Sequence, residues 1–239
     1  MKSWTRTLNL DDAHTLLAVA TPGLSLAEWT QRCHTSLPNL SIARRRELIR
    51  LLRDGFLEWT DDDTIAPGLF LQFYATASAT AQIDIVNVQW ALSHPITLVG
   101  VERLVQPTLE SGQTDIPLKD VEKLVASNLH TRSAESLRKT RTVLLGAMEG
   151  IGTLVTRGTG QHRQLSAARG RPHPLTFAYL VHRDLQERGL DAMMAPEVPE
   201  SSLGVRLSQC TFSHARFCME WALENKLLTE RDDEIGLPR

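Results

Sequence analysis

The residues with the most evident chemical capacity are cationic. Between positions 132 and 171 stand Arg132, Arg138, Lys139, Arg141, Arg157, Arg163, Arg169 and Arg171, against only Glu135 and Glu149. Of the net −2 of the 239-residue chain, this stretch contributes +6 and the remainder −8. Cations gathered on an otherwise acidic body suit the phosphates of a polyanion, because each contact releases condensed counterions. A solvated basic face with no ligand is the plain alternative. Other groupings offer less. Asp61, Asp62 and Asp63 are three carboxylates, but consecutive residues at a hairpin tip point different ways. Cys210, His214 and Cys218 are spaced four apart, one column on a helix and of the type that holds zinc. Only three ligands are present, and a buried cysteine commonly serves as a small apolar filler. His162, His173 and His182 show no ligand spacing.

The chain contains no phosphate loop, no GxSxG elbow, no HExxH and no GxGxxG after a strand, so neither an enzyme nor a cofactor is expected. Cys33, Cys210 and Cys218 include no CxxC pair, which argues against a disulfide framework or a zinc finger. Trp4, Trp29, Trp59, Trp90 and Trp221 are scattered, as core anchors are, rather than paired as base-stacking platforms. The run Arg169-Gly170-Arg171-Pro172 resembles the core of the AT-hook, in which an extended glycine lies on the floor of a narrow minor groove between two arginines. Its flanks, Ala167-Ala168 and His173-Pro174, are less basic than in typical hooks, and a basic interdomain linker is the other reading.

These residues need elements to position them. Asn9 or Asp11 caps a helix that Thr21-Pro22-Gly23 stops near Ala20. Ser25 opens a second helix with Glu28 at capping-box spacing, and Ser41 a third, closed by Gly55 in left-handed geometry. FLEWTDDDTIA then suits two short strands, giving the winged-helix order of three helices and a hairpin. Packing helices are expected from Gly68 to Leu92, from Pro95 to Leu109 and from Pro117 to Leu129. Ser133 or Ser136 starts the next helix, followed by a strand, a Gly-rich turn and a strand through IGTLVTRGTGQHRQL. The last part holds a helix from Leu175 to Arg188, a loop through Ser202, a strand-like LGVRL and a helix from Thr211 to Glu224.

Three helix-to-hairpin junctions superimpose. A hydroxyl at Ser41, Ser136 or Thr211 is followed five residues on by Arg46, Arg141 or Arg216, and fourteen on by Gly55, Gly150 or Asn225. In the second copy Val143, Leu144, Ala147 and Met148 line one helix face. Such a helix is capped, packed on one stripe and stopped abruptly, as the last helix of a helix-turn-helix must be. The second copy is the expected binder, with Arg138, Lys139 and Arg141 in its first turns and Arg157, Gly158, Gly160, His162 and Arg163 in its wing. In the first, Glu47, Asp54 and Asp61 to Asp63 oppose Arg44, Arg45, Arg46, Arg50 and Arg53. The third, with Glu220, Glu224 and the acidic run Glu230 to Glu234, is expected to pack on protein.

The fold class expected is mainly α, a helical bundle with winged-helix units, in three domains: 1–66, 67–172 and 173–239. No window approaches the roughly eighteen apolar residues of a bilayer-spanning helix, and the polar start MKSWTRTLNLDD lacks the layout of a secretory signal. A cytoplasmic protein without membrane contact is expected.

Several runs resemble the BrxA family, accessory proteins of bacteriophage-exclusion (BREX) defence systems. They are the arginine-bearing helix near Arg44, LFLQFYATASATAQIDIVNVQWAL with Asp84, and SAESLRKTRTVLLGAMEGIG with its Ser136 to Arg141 run and glycine-terminated helix. The resemblance implies a largely helical, non-enzymatic, DNA-binding protein with winged-helix and NusB-like portions. It implies partners among the other BREX proteins: a methyltransferase, an ATPase and a phosphatase-like protein. The Gly158 to Arg171 loop matches no feature of that family. The combined expectation is binding of double-stranded DNA through Arg138, Lys139, Arg141, Arg157 and Arg163, with Arg169 and Arg171 in the minor groove. A protein-interaction scaffold and a NusB-like RNA-binding module are the alternatives.

Overall fold

The computed structural model describes residues 8–129, 133–158 and 163–238. Trp4, Arg132, Gly160 and His162 lie outside the described residues. Asn9 Oδ1 accepts the amides of Asp11 and Asp12 at 3.0 and 3.3 Å and opens α1 (Leu10–Leu17). α2 (Leu26–Ser36) begins with the expected capping box, in which Ser25 and Glu28 exchange bonds. Ser41 caps α3 (Ile42–Gly55).

Between α1 and α2 the chain is briefly extended. Ser25 bridges Thr64, the Ile65 amide donates to Leu24 O at 2.9 Å, and the Leu26 amide donates to Asp63 O at 3.0 Å. Beyond α3, Trp59 bridges Ile65 and the Ala66 amide donates to Glu58 O at 2.9 Å. Three short extended segments therefore pair, with the last in the middle.

The same plan returns twice. Asp115 bridges Ser166 ahead of α8 (Leu118–Asn128) and α9 (Ala134–Gly150), and β1 (Leu154–Arg157) then pairs antiparallel with β2 (Gln164–Ala167). Finally β3 (Ala192–Met194) precedes α11 (Glu197–Ser201), α12 (Leu203–Ser208) and α13 (Phe212–Glu224), and β4 (Thr229–Arg231) and β5 (Glu234–Gly236) close a sheet of order β3-β5-β4. Each time the strand before the helices pairs with the second hairpin strand. We call these the first, central and third units. The fold is mainly helical with small antiparallel sheets.

α4 (Leu69–Thr76) and α5 (Ala79–Leu92) replace the single helix expected from Gly68 to Leu92, because Ala77 is extended and the Ser78 side chain caps a new helix by accepting the Ala81 amide. After Pro95 come α6 (Pro95–Gly100), a π-helical turn (Val101–Val105) and α7 (Gln106–Glu110). α10 (Pro174–Arg188) is buried along most of its length and packs on α4, α5, α12 and α13. One hydrophobic cluster runs through all three units. The breaks expected after 66 and after 172 fall in the short segments before α4 and before α10.

Three local expectations are corrected. LGVRL is not a strand but most of α12, since the buried Asp184 carboxylate accepts the Leu203 amide at 2.7 Å and Arg206 reaches Glu102 at 2.6 Å. α9 is capped by Ser133, not Ser136, its hydroxyl accepting the Ser136 amide at 3.2 Å. The glycines at the ends of α3 and α9 are not left-handed, since both are the last residues of their helices, and Asn225 has a φ of −89°. Gly150 is instead a close approach, where a Cβ would meet Asn87 Oδ1 at 2.9 Å.

Candidate nucleic-acid interface

α9 buries Val143, Leu144, Leu145, Ala147 and Met148 and packs on α5, α6 and α8, which fixes the opposite side toward solvent. Arg138 is exposed there, and Lys139 and Arg141 are half-buried. Lys139 Nζ lies 2.5 Å from Glu135 Oε1, one turn back, and this contact holds the Glu135 carboxyl below its usual range. Arg141 pairs with Glu122 of α8. Arg157 ends β1, exposed, opposite Gln164. Arg163, beside β2, sits 3.7 Å from Glu149 of α9. Arg138 and Arg157 make no ion pair with another described residue. The other three are in surface pairs, which are weak because water and salt screen them, so a phosphate can replace any of the three carboxylate partners. Five of the seven expected residues thus belong to α9 and the hairpin that follows it.

Arg169 and Arg171 belong elsewhere. Gly170 is buried, its amide donating to Ser208 O at 2.8 Å, and a Cβ there would meet Ile151 O at 2.7 Å and Ser208 O at 2.9 Å. Arg169 donates to Gln209 O at 3.2 Å. Both arginines are exposed, but the glycine that a hook would lay on a groove floor is pressed between the central and third units. In this structure the loop is a packed junction, and its glycine does not lie open as a hook's would.

The remaining candidates also have structural partners. Cys210 and Cys218 are buried, and burial raises both thiols, Cys218 to about 12. His214 Nε2 is 3.0 Å from Pro172 O and 3.5 Å from Cys218 Sγ, so this column grips the interunit segment. Asp84 accepts the His173 amide at 2.6 Å at the start of α10, and burial raises its carboxyl above the usual range. Asp61 to Asp63 are exposed, with Asp63 at a φ of +52°. Among the described residues no group of three His, Cys, Asp or Glu side chains is placed to hold a metal ion. None of their helices is long and apolar enough to cross a membrane.

Aligning the final helices by their structural caps, Ser41, Ser133 and Thr211, sharpens the repeat. The fifth residue after the cap is Arg46, Arg138 and Arg216, exposed in all three. Counted from Ser136, the cap expected from sequence, that place falls to Arg141 instead. α3 also carries Ile42, Arg46 and Arg50 at four-residue intervals on one exposed stripe. Glu47 is bound to Arg44 at 3.0 Å and Asp54 to Arg53 at 3.2 Å, so the carboxylates expected to oppose this helix are directed at those two arginines. The chain matches no family model, no curated protein and no solved structure.

Proposed function

We propose that this chain is a non-enzymatic, DNA-binding accessory protein whose three units are winged helices and whose central unit holds the duplex. The observation that carries the reading is charge on a shared plan. Among the described residues only the central unit joins a cationic start of its final helix to a cationic hairpin, with Arg138 and Arg157 exposed and in no ion pair with another described residue. In a winged helix those two parts meet the duplex, the helix in the major groove and the wing along the backbone. Contacts of this type position the protein and carry little sequence information. With Gly170 buried, no preference for AT-rich duplex is expected. A place in BREX-type phage defence, among the other proteins of such a system, rests on the sequence resemblance alone.

Fluorescence anisotropy with duplex DNA, duplex RNA and single strands across a salt series tests this. About five phosphate contacts would give a logarithmic salt slope of about −4 to −5 on duplex DNA. Preference for RNA would favour the NusB-like alternative, and no binding to either would leave the scaffold reading. That second reading has its own support, since the hairpins of the first and third units carry Asp61 to Asp63 and Glu230, Asp232, Asp233 and Glu234, charges that repel phosphate.

A further inference from the structure

We infer that copies of this chain associate head to tail, the outer face of α3 in one against the outer face of α13 in the next. Both faces begin with exposed apolar side chains that the fold leaves uncovered. Ile42 is 58% exposed at the start of α3, and Phe212 and Phe217 are each 54% exposed on the first turns of α13. Two large aromatic rings open to water on adjacent turns are typical anchors of a protein interface.

The charges of the two faces are opposite. On α3, Arg46 and Arg50 continue the stripe from Ile42 and make no ion pair with another described residue. On α13, Glu220 and Glu224 follow the phenylalanines, and Glu220 is shared with Arg216 at 2.8 Å. The β4–β5 hairpin adds exposed Glu230, Asp232, Asp233 and Glu234 against Arg231. Parallel packing of the two helices would set Ile42 among the phenylalanines and Arg46 and Arg50 toward the carboxylates. Complementary charge of this kind steers encounter and fixes register.

A nucleic acid would suit the arginines of α3 but not the acidic surface of the third unit. The occupant that matches both faces at once is a second copy. Because the two faces differ, the contact is heterologous and each copy keeps one face open, so association continues beyond a dimer unless the rotation closes a ring. α9 and the β1–β2 hairpin take no part in it.

The test uses the full chain without nucleic acid, so its outcome is independent of duplex binding. Sedimentation velocity from micromolar to submillimolar concentration should show a mass that rises beyond the dimer and falls with added salt. Two variants, Arg46→Glu with Arg50→Glu, and Phe212→Ser with Phe217→Ser, change exposed residues only. Circular dichroism should show both folded, and each alone should be monomeric. Mixed in equal amounts they should form a heterodimer and nothing larger, since each restores the face that the other lacks. A wild-type chain that stays monomeric throughout, variants that still associate alone, or a mixture that stays monomeric would overturn the inference.

Discussion

The central unit and the two that flank it share a backbone plan and differ in what their hairpins carry. In all three, a hydroxyl caps the final helix and an exposed arginine follows five residues later. The central hairpin then presents Arg157 and Arg163, whereas the first presents Asp61 to Asp63 and the third Glu230, Asp232, Asp233 and Glu234. The arginine of the final helix therefore does not distinguish the units, whereas the sign of the hairpin beside it does. On the proposed reading that sign decides which unit holds a duplex, since a wing would lie along the charged backbone while the helix enters the groove. Two acidic hairpins also account for how a chain of net charge −2 can hold a stretch of +6 between positions 132 and 171.

The largest expected effect comes from reversing charge on the central unit. Arg138→Glu with Arg157→Glu should weaken binding to a duplex long enough for one copy by about a hundredfold at low salt, since each change removes a phosphate contact and adds a repelling charge. Arg46→Glu with Arg50→Glu should change it by less than about threefold, and equal losses would erase the distinction between units. Next in size is Gly170→Ala, whose new Cβ would strike two backbone carbonyls. A loss of about 1–3 kcal/mol in unfolding free energy is expected, with duplex affinity of the folded protein unchanged. An affinity loss without a stability loss would return this loop to the groove. Smaller again is Asp61→Asn with Asp62→Asn and Asp63→Asn. Removing the repulsive hairpin should raise duplex affinity a few-fold at low salt, with the gain fading as salt rises.

The smallest effect concerns pH. Burial lowers the pKa of His14 in α1, His94 before α6 and His182 in α10 from the ordinary 6.5. The unfolded chain then takes up these protons first, so the stability they contribute is present above that value and is lost as pH falls through the lowered ones. Melting temperature should drop between about pH 7.5 and about pH 5, and hydrogen exchange should show α1 and α10 loosening before α9. Asp84, held up by burial, acts in the opposite sense at lower pH: its stabilisation is present in acid and lost as pH rises through its raised value. A melting temperature that is flat in the histidine window would show that folding does not change the proton affinity of these rings.

The sequence carries its local signals well. The Ser25–Glu28 box, the caps at Ser41 and Thr211, and the β1–β2 hairpin follow from hydrogen-bond chemistry within a few residues. Ser133 and Ser136 both satisfy the same rule, and only the structure chooses between them. α12 is missed because its helical state depends on Asp184 and Glu102, partners distant in sequence. The short extended segments at Ser25 and Asp115 are single bridges, too brief to leave a two-residue period. At the candidate interface the cations are evident as composition. That Arg141 answers to Glu122 and that Gly170 is packed against Ser208 are tertiary facts.

The central claim is that duplex phosphates meet one unit of three. Its most direct measurement is the salt slope of duplex binding for Arg46→Ala, Arg138→Ala and Arg216→Ala, three arginines in one structural position. The account predicts a logarithmic slope shallower by about one for Arg138→Ala and unchanged for the other two. A slope that shifts equally in all three, or in either flanking unit but not at Arg138, would contradict it.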